Sequence, residues 1–245
     1  MKLSQLLILV LTLFPWQVSA TSLKKEYKIG QMDPDLYLYP IVAQWYERIG
    51  TKVKYLEMPM KRSLVEANRG RVDAELSGGL TVAKTHKNLR KVPTSLTTVD
   101  LSMFSLKKMD ISPKDVLNYR VAAPIGYEFL DYSISGFKEK VNFVSKPIQL
   151  AGMLAEGRVD IVVSENSTML KLLLEYKKLP KVKPLNKVYI LPKPISQVEL
   201  YHWVHKSNES MIPLLDQELV KMKKDRVIER AKERYTNRLL ELVNQ

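Results

Sequence analysis

No cysteine occurs in the 245 residues, which excludes disulfide bonds, thiolate metal centres and a lipid-bearing cysteine behind a leader. Histidine is nearly as scarce, with three residues in all. His202 and His205 fall in one extended-looking stretch, and their spacing points the two rings to opposite faces. No shared metal ion is expected from them, and no cofactor is expected at all. Low-complexity tracts and long single-sign charge blocks are missing as well, which argues against disorder. Beyond residue 20 no apolar run approaches the roughly 20 residues that a membrane-spanning helix needs.

What is present begins with a leader-like segment. Lys2 gives a positive start, Leu6 to Phe14 an apolar run broken only by Thr12, and Pro15 a helix stop. Val18-Ser19-Ala20 then places small residues where a signal peptidase reads them. Residues 1–20 are therefore expected to be a signal peptide cleaved after Ala20, with a periplasmic destination for the rest. The alternative is a buried N-terminal helix.

The remainder has the make-up of an ordinary globule, since 45% of the chain is apolar and 27% charged. Its formal charge of +13 raises the question of nucleic acid. The basic residues are scattered, however, and the densest run, Lys221 to Arg234, alternates with Asp225, Glu229 and Glu233 as a solvated helix face does. The charge reads as solubility and as attraction to an anionic envelope or ligand, and no nucleic-acid partner is expected.

Strand and helix signals alternate along the chain. Glu26 to Gly30 and Thr51 to Leu56 read as strands, and Ile41 to Ile49 as a helix halted at Gly50. Lys61 to Asn68 is a helix stopped by Gly70, and Val72 to Leu76 a third strand. This βαβαβ order implies a parallel sheet with helices on both faces. A second unit begins near Ser112, expected to cap a helix with Pro113 in its first position. It continues through strands at 120–123, 141–144 and 159–163 and helices at 148–156 and 167–176. Gly70-Arg-Val-Asp73 recurs as Gly157-Arg-Val-Asp160, each after a helix and before an apolar strand, so the two units are built alike. Gln197 to Val204 looks like a strand, and two long helices, about 209–224 and 226–243, end the chain.

The fold expected is α/β and two-lobed, each lobe a mainly parallel sheet flanked by helices. Lobe 1 is assigned to residues 21–98 and 200–245, lobe 2 to 105–192, and a two-segment hinge to 99–104 and 193–199. In such sheets ligands sit beyond the carboxyl ends of strands, where loops and helix N-termini converge. That places Asp33, Tyr37 and Tyr39 after the first strand, Glu75, Ser77 and Gly78 at the third, Gly126 and Tyr127 after the first strand of lobe 2, and Glu165 after its last, all around one crevice. Gly126 is either a source of free backbone donors for a ligand anion or an ordinary strand-to-helix turn. Tyr37 and Tyr39 can stack on a ligand from their loop, while Trp45 belongs to the core. Arg62 sits in the first turn of its helix, where the dipole disfavours a cation. Either a salt bridge to Glu75 or a ligand anion would account for it, and the salt bridge is the expected outcome.

These segments, Asp33-Pro34, Met58-Pro-Met-Lys-Arg-Ser-Leu64, Ser77-Gly78-Gly79, Val121-Ala-Ala-Pro-Ile-Gly126 and the two Gly-Arg-Val-Asp motifs with Glu165, occur in an order that resembles the amino-acid-type periplasmic solute-binding proteins, family 3. The resemblance covers most of the chain after residue 20. It implies the type II "Venus flytrap" periplasmic-binding-protein-like fold, a small-molecule ligand such as an amino acid, and a monomer that serves an ABC-type inner-membrane permease or a sensor. It also implies that Glu165 accepts a ligand amino group; the residue would otherwise be a helix N-terminal acid. Two departures stand out. The arginine that usually clamps the ligand carboxylate is missing from Val82-Ala-Lys-Thr-His86, where Lys84 lacks the fork geometry. Tyr127 and Glu128 stand where the family commonly has a hydroxyl residue. A dehydratase-like enzyme on the same fold and a partner-binding protein with a vestigial cleft are the alternatives. No catalytic residue is expected, because no acid is paired with a nucleophile or a tuned histidine.

Overall fold

The structure, a computed structural model, describes residues 23–31, 37–125, 134–185 and 187–245. The leader expected at 1–20 lies outside them. Among the described residues no helix is long and apolar enough to cross a membrane.

The first unit is β1 (Glu26–Gln31), α1 (Leu38–Arg48), β2 (Lys52–Glu57), α2 (Met60–Asn68) and β3 (Ala74–Gly78), with β1 parallel to both β2 and β3. Two short elements follow, α3 (Val82–Thr85) and β4 (Leu89–Lys91). A nine-residue strand, β5 (Thr97–Ser105), then leads to the second unit. That unit comprises β6 (Val121–Pro124), α4 (Phe137–Lys140), β7 (Asn142–Val144), α5 (Ile148–Ala155), β8 (Ile161–Glu165) and α6 (Asn166–Lys178), and β6 is parallel to both β7 and β8. After β9 (Tyr189–Ile190) the chain returns along β10 (Ser196–His205) and closes with α7 (Ile212–Lys224) and α8 (Val227–Asn244). Residues 113–118 form a 3₁₀ turn, and the Ser112 side chain makes no capping hydrogen bond, unlike the capped helix expected there.

The strands join in the order β2-β1-β3-β10-β5-β8-β6-β7. The centre of that order holds the two lobes together. Ser196 to Leu200 of β10 pairs antiparallel with Leu101 to Thr97 of β5. Beyond this ladder the strands part company: β10 continues against β3 and β4, and β5 continues against β8 and β9. Each lobe therefore has three parallel strands, one long antiparallel strand that also belongs to the crossing, and a short strand, β4 or β9, antiparallel to that one.

Alternation along the strands puts an apolar cluster on each face of each sheet. In the first lobe Tyr27, Ile29, Ala74, Leu76 and Val204 pack on α1 and α7, while Tyr201 and Trp203 turn to α2 and α3. In the second, Phe104, Ala122 and Val162 face α5 and α6, and Met103, Val121, Ala123, Ile161 and Val163 face Val116 and Phe137. The helix α8 serves both lobes. Ile228 joins the first-lobe cluster, whereas Leu239 and Val243 join the α5–α6 cluster of the second.

The repeated Gly-Arg-Val-Asp has one geometry in both lobes. Gly70 and Gly157 take φ of 73° and 70°, which ends each helix in the left-handed region. Val72 and Val159 are then buried. The Asp73 carboxylate accepts the Lys28 amide at 2.8 Å, and that of Asp160 accepts the Arg120 amide at 3.1 Å. The motif thus stops a helix, plants an apolar anchor and fastens the start of a neighbouring strand.

His202 is fully buried in the first lobe, its ring edge-on to Trp45 and Tyr46. Its Nδ1 lies 3.0 Å from the Leu76 carbonyl, which can only accept, so Nδ1 carries the proton. Nε2 therefore accepts from the Tyr46 hydroxyl at 2.7 Å. Burial holds the imidazole pKa down to about 4. Because the folded value lies below the unfolded one of 6.5, this contribution to stability is complete above pH 6.5 and is lost as the pH falls toward 4. Between pH 8 and pH 5 the loss is about 2 kcal/mol. Urea unfolding at those two pH values is expected to show the drop in the wild type and a smaller drop in His202→Gln; equal drops would show that His202 is not its source.

Candidate functional site

The carboxyl ends of β3 and β8 reach the crossing from opposite sides. Gly78, the last residue of β3, pairs with Tyr201, one residue beyond the β5–β10 ladder. Glu165, the last residue of β8, pairs with Leu101 at the other end of that ladder. Four strand steps, about 13 Å, separate Thr97 from Leu101, and the two ends meet this ladder at its opposite ends. The residues read from the sequence as lining the crevice sort around this span.

On the first-lobe side, Glu75 is 4% exposed and its Oε2 accepts a short hydrogen bond from the Ser63 hydroxyl. Ser63 lies in the first turn of α2, next to Arg62, and its Oγ occupies the space that a Cβ on Gly30 would need. The expected salt bridge is absent: the Arg62 side chain is exposed and makes no ion pair with Glu75 or with any other described residue. The physical reason is depth. Glu75 faces the sheet under α2, where a compact hydroxyl fits, and the guanidinium one residue earlier is carried round the helix to solvent. Burial pushes the Glu75 carboxyl up to about 8, against the pull of the Ser63 hydrogen bond. The group is a neutral acid at pH 7.

Ser77 and Gly78 are half-buried at the end of β3. The Gly78 carbonyl accepts from Trp203 Nε1 at 3.0 Å, and a Cβ there would meet Val82 Cγ2 at 2.8 Å. Close packing by Trp203 and Val82 thus requires this glycine. Gly79, by contrast, has open space on its Cβ side.

Tyr37 and Tyr39, read as loop tyrosines, stand at the start of α1 and are buried. Tyr39 packs on Tyr55, with ring centroids 4.6 Å apart, inside the first-lobe core. Tyr37 reaches the crossing, its hydroxyl 2.9 Å from Thr97 Oγ1 and its ring 5.8 Å from that of Tyr235 on α8. Burial pushes the Tyr37 phenol up to about 12, opposed by the Thr97 hydrogen bond and assisted by the carboxylates of Glu165, Asp100 and Glu229.

Glu165 caps α6. Its Oε1 accepts from the Ser167 amide at 3.0 Å and its Oε2 from the Thr168 amide at 2.7 Å. Of the two roles weighed for it, the helix-terminal acid is the one visible, and both carboxylate oxygens are engaged in it. Asp33, Gly126 and Tyr127 lie outside the described residues. Among those described, no group of three or more His, Asp or Glu side chains could hold a metal ion.

Sequence reasoning missed Ser63, the partner of Glu75, although its position three residues into a helix that follows a strand was a usable signal. It also missed Thr97, Asp100 and Asn166 at the crossing, and it treated Glu229 as part of a solvated face. Glu229 Oε2 is in fact buried.

The Glu75 arrangement fixes a pH dependence. Its folded pKa lies above the ordinary value of 4.5, so its contribution is complete below pH 4.5 and is lost as the pH rises through about 8. Between pH 7 and pH 9 the wild type is expected to lose about 1 kcal/mol that Glu75→Gln keeps. Melting curves at both pH values measure this, and parallel behaviour of the two proteins would exclude a neutral Glu75.

No protein-family model matches the chain, and no curated protein matches it. Solved structures do. Substrate-binding domain 2 of Lactococcus lactis GlnP, in its open conformation, is similar over 88% of this chain and 97% of its own, at 16% identity and a TM-score of 0.66. An ancestral arginine-binding protein bound to glutamine is similar over 87% of this chain and 99% of its own, at 17% identity and a TM-score of 0.60. A histidine kinase sensor domain with similarity to periplasmic binding proteins covers 86% of this chain and 96% of its own, at 15% identity and a TM-score of 0.63. With the strand order and the paired crossing, these likenesses establish that the chain has the two-lobed type II periplasmic-binding-protein fold.

Proposed function

We propose that this protein is a periplasmic solute-binding protein that captures a small polar molecule between its lobes and presents it to a membrane permease or a sensor. The observation that carries the reading is the convergence of the β3 and β8 carboxyl ends on a five-residue antiparallel ladder. Strand ends in an α/β sheet expose loop amides and helix N-termini, and here two sets of them flank one short crossing. Rotation about that crossing changes the width of the crevice without breaking either sheet, which is the mechanics of hinge closure. The similarity to amino-acid-binding proteins and to a sensor domain supports binding as the activity and both kinds of recipient.

Within the crevice the proposed contacts are Arg62, Ser77 and the backbone at Gly78 and Gly79 from the first lobe, with Asp33, Gly126 and Tyr127 completing it. Arg62 is the anion partner: an exposed guanidinium in the first turn of α2 with no ion pair among the described residues. The leader at 1–20 is proposed to be removed after Ala20, and the mature chain to act as a monomer without cofactor or catalysis.

A thermal-shift panel of amino acids, polyamines, small carboxylates and sugars tests the reading. One class is expected to raise the melting temperature, by an amount that grows with concentration. Arg62→Ala should weaken a carboxylate ligand at least tenfold, in line with the loss of one charge-assisted contact of about 1.5–3 kcal/mol. A panel in which no class shifts the transition would end the proposal.

A further inference from the structure

The helix α6 starts at the crossing, where Glu165 caps it, and its 13 residues carry the chain about 20 Å away. Its far end meets the end of α8. Lys177 Nζ donates to the Val243 carbonyl, and the Val188 amide donates to Asn244 Oδ1 at 3.1 Å. Lys178 and Leu242 share the wall of one groove between the two helices. This end of the second lobe carries charge of one sign. Of the 14 cations between residues 105 and 192, six fall in the segment 171–187: Lys171, Lys177, Lys178, Lys181, Lys183 and Lys187. A single acid, Glu175, accompanies them, while the other eight cations are matched by eight acids. The net charge of the whole stretch is therefore the charge of this segment.

Contacts within the chain account for only some of these lysines. Lys177 and Lys178, in the last turn of α6, complement the negative end of its dipole. Lys181, Lys183 and Lys187 lie beyond the helix, are exposed, and make no ion pair among the described residues. Lys187 Nζ stands 5.5 Å from the centre of the Tyr189 ring. The chain turns after Leu179, with Lys181 at φ of 58°. Lys177, Leu179, Lys181 and Lys183 line a basin of about 340 Å³ there, with no acid among the described residues of its wall. Lys178 and Arg238 extend the positive charge along the neighbouring groove, of about 440 Å³, where Glu175 is the one acid. Like charges gathered in this way repel one another, and an anionic cover relieves the repulsion. Two leucines stand among them in water, Leu179 at 45% exposure and Leu242 at 41%.

We propose that this end of the second lobe docks on an anionic phospholipid surface, with its lysines against the headgroup phosphates and Leu179 and Leu242 at the boundary between headgroups and acyl chains. All six cations of the segment are lysines, hydrated point charges that suit a diffuse layer of phosphates, whereas the fork of arginine suits one fixed oxyanion. Each basic side chain adds a modest attraction to such a layer, so a cluster is what holds. The exposed leucines add apolar contact that a bilayer rewards and a dissolved anion or an acidic polypeptide held by charge does not. Because the solute crevice lies at the opposite end of α6, docking here leaves that crevice accessible and keeps the protein beside a membrane.

Vesicle flotation of the chain from residue 21 tests the surface, using phosphatidylcholine vesicles with and without about 30% phosphatidylglycerol. Binding to the anionic vesicles alone is expected at roughly 0.1 M salt, with release at roughly 0.5 M. The triple variant Lys178→Gln, Lys181→Gln, Lys183→Gln should bind weaker on the order of a hundredfold, at about fivefold for each lysine. Lys25→Gln, Lys52→Gln, Lys54→Gln removes the same charge from exposed positions of the first lobe and should cost less than about fivefold in all. Leu179→Ser with Leu242→Ser should weaken binding roughly tenfold. Inorganic phosphate at about 10 mM, with ionic strength held constant, should displace nothing. Absence of binding to the anionic vesicles overturns the proposal, as do equal losses in the two lysine triples. Full binding by the leucine variant also overturns it, because charge alone would then suffice and an acidic polypeptide would serve as well. Displacement by phosphate overturns it in favour of a site for a free anion. None of these failures touches the solute-capture reading, which rests on the crevice and its own ligand panel.

Discussion

Everything distinctive about this molecule depends on ten residues, Thr97 to Leu101 and Ser196 to Leu200, that pair antiparallel between the lobes. Two crossing strands bonded to each other resist twisting and shear more than a single linker does, yet they bend as one ribbon. The same strands run on into the interior of their respective sheets, so bending is passed directly to the lobes. The ladder also sets how Gly78 and Glu165 are spaced along the crossing.

The helix α8 adds a restraint that the ladder does not supply. Its first turn is rooted in the first lobe through Ile228, and its end lies on the second through Leu239 and Val243. Hydrogen bonds from Lys177 Nζ to the Val243 carbonyl and from the Val188 amide to Asn244 Oδ1 hold that end down. A helix docked on both lobes opposes any rotation that would separate its two footings. Between those footings Glu229 and Lys232 lie over the crossing and are half-buried, whereas Arg230, Glu233, Arg234 and Arg238 stay exposed.

Polar burial divides by role. His202, with Tyr46 and the Leu76 carbonyl, is a neutral group with every ring nitrogen satisfied, and it specifies how β10 sits against β3 and α1. Glu75 is satisfied by one hydroxyl and is kept neutral by its surroundings.

Local chemistry determined much of this protein from its sequence. Glycines after Asn68-Arg69 and Glu156 ended helices at 70 and 157, apolar periodicity set the βαβαβ order, and the doubled Gly-Arg-Val-Asp announced two similar lobes, because each of these acts within a few residues. The long helices at the end were equally legible, as was the burial of Trp45. Tertiary structure alone decided which side chains meet. Arg62 and Ser63 are neighbours in the first turn of one helix, and only the packing of α2 on β1 and β3 gave Glu75 to the hydroxyl instead of the cation. Charge alternation along 221–234 looked the same whether that face met water or the crossing, since periodicity records that a helix has a polar side but not what lies opposite it. The β5–β10 ladder joins residues nearly a hundred positions apart, and its register follows from the closure of two sheets at once, a condition that no short stretch of sequence contains.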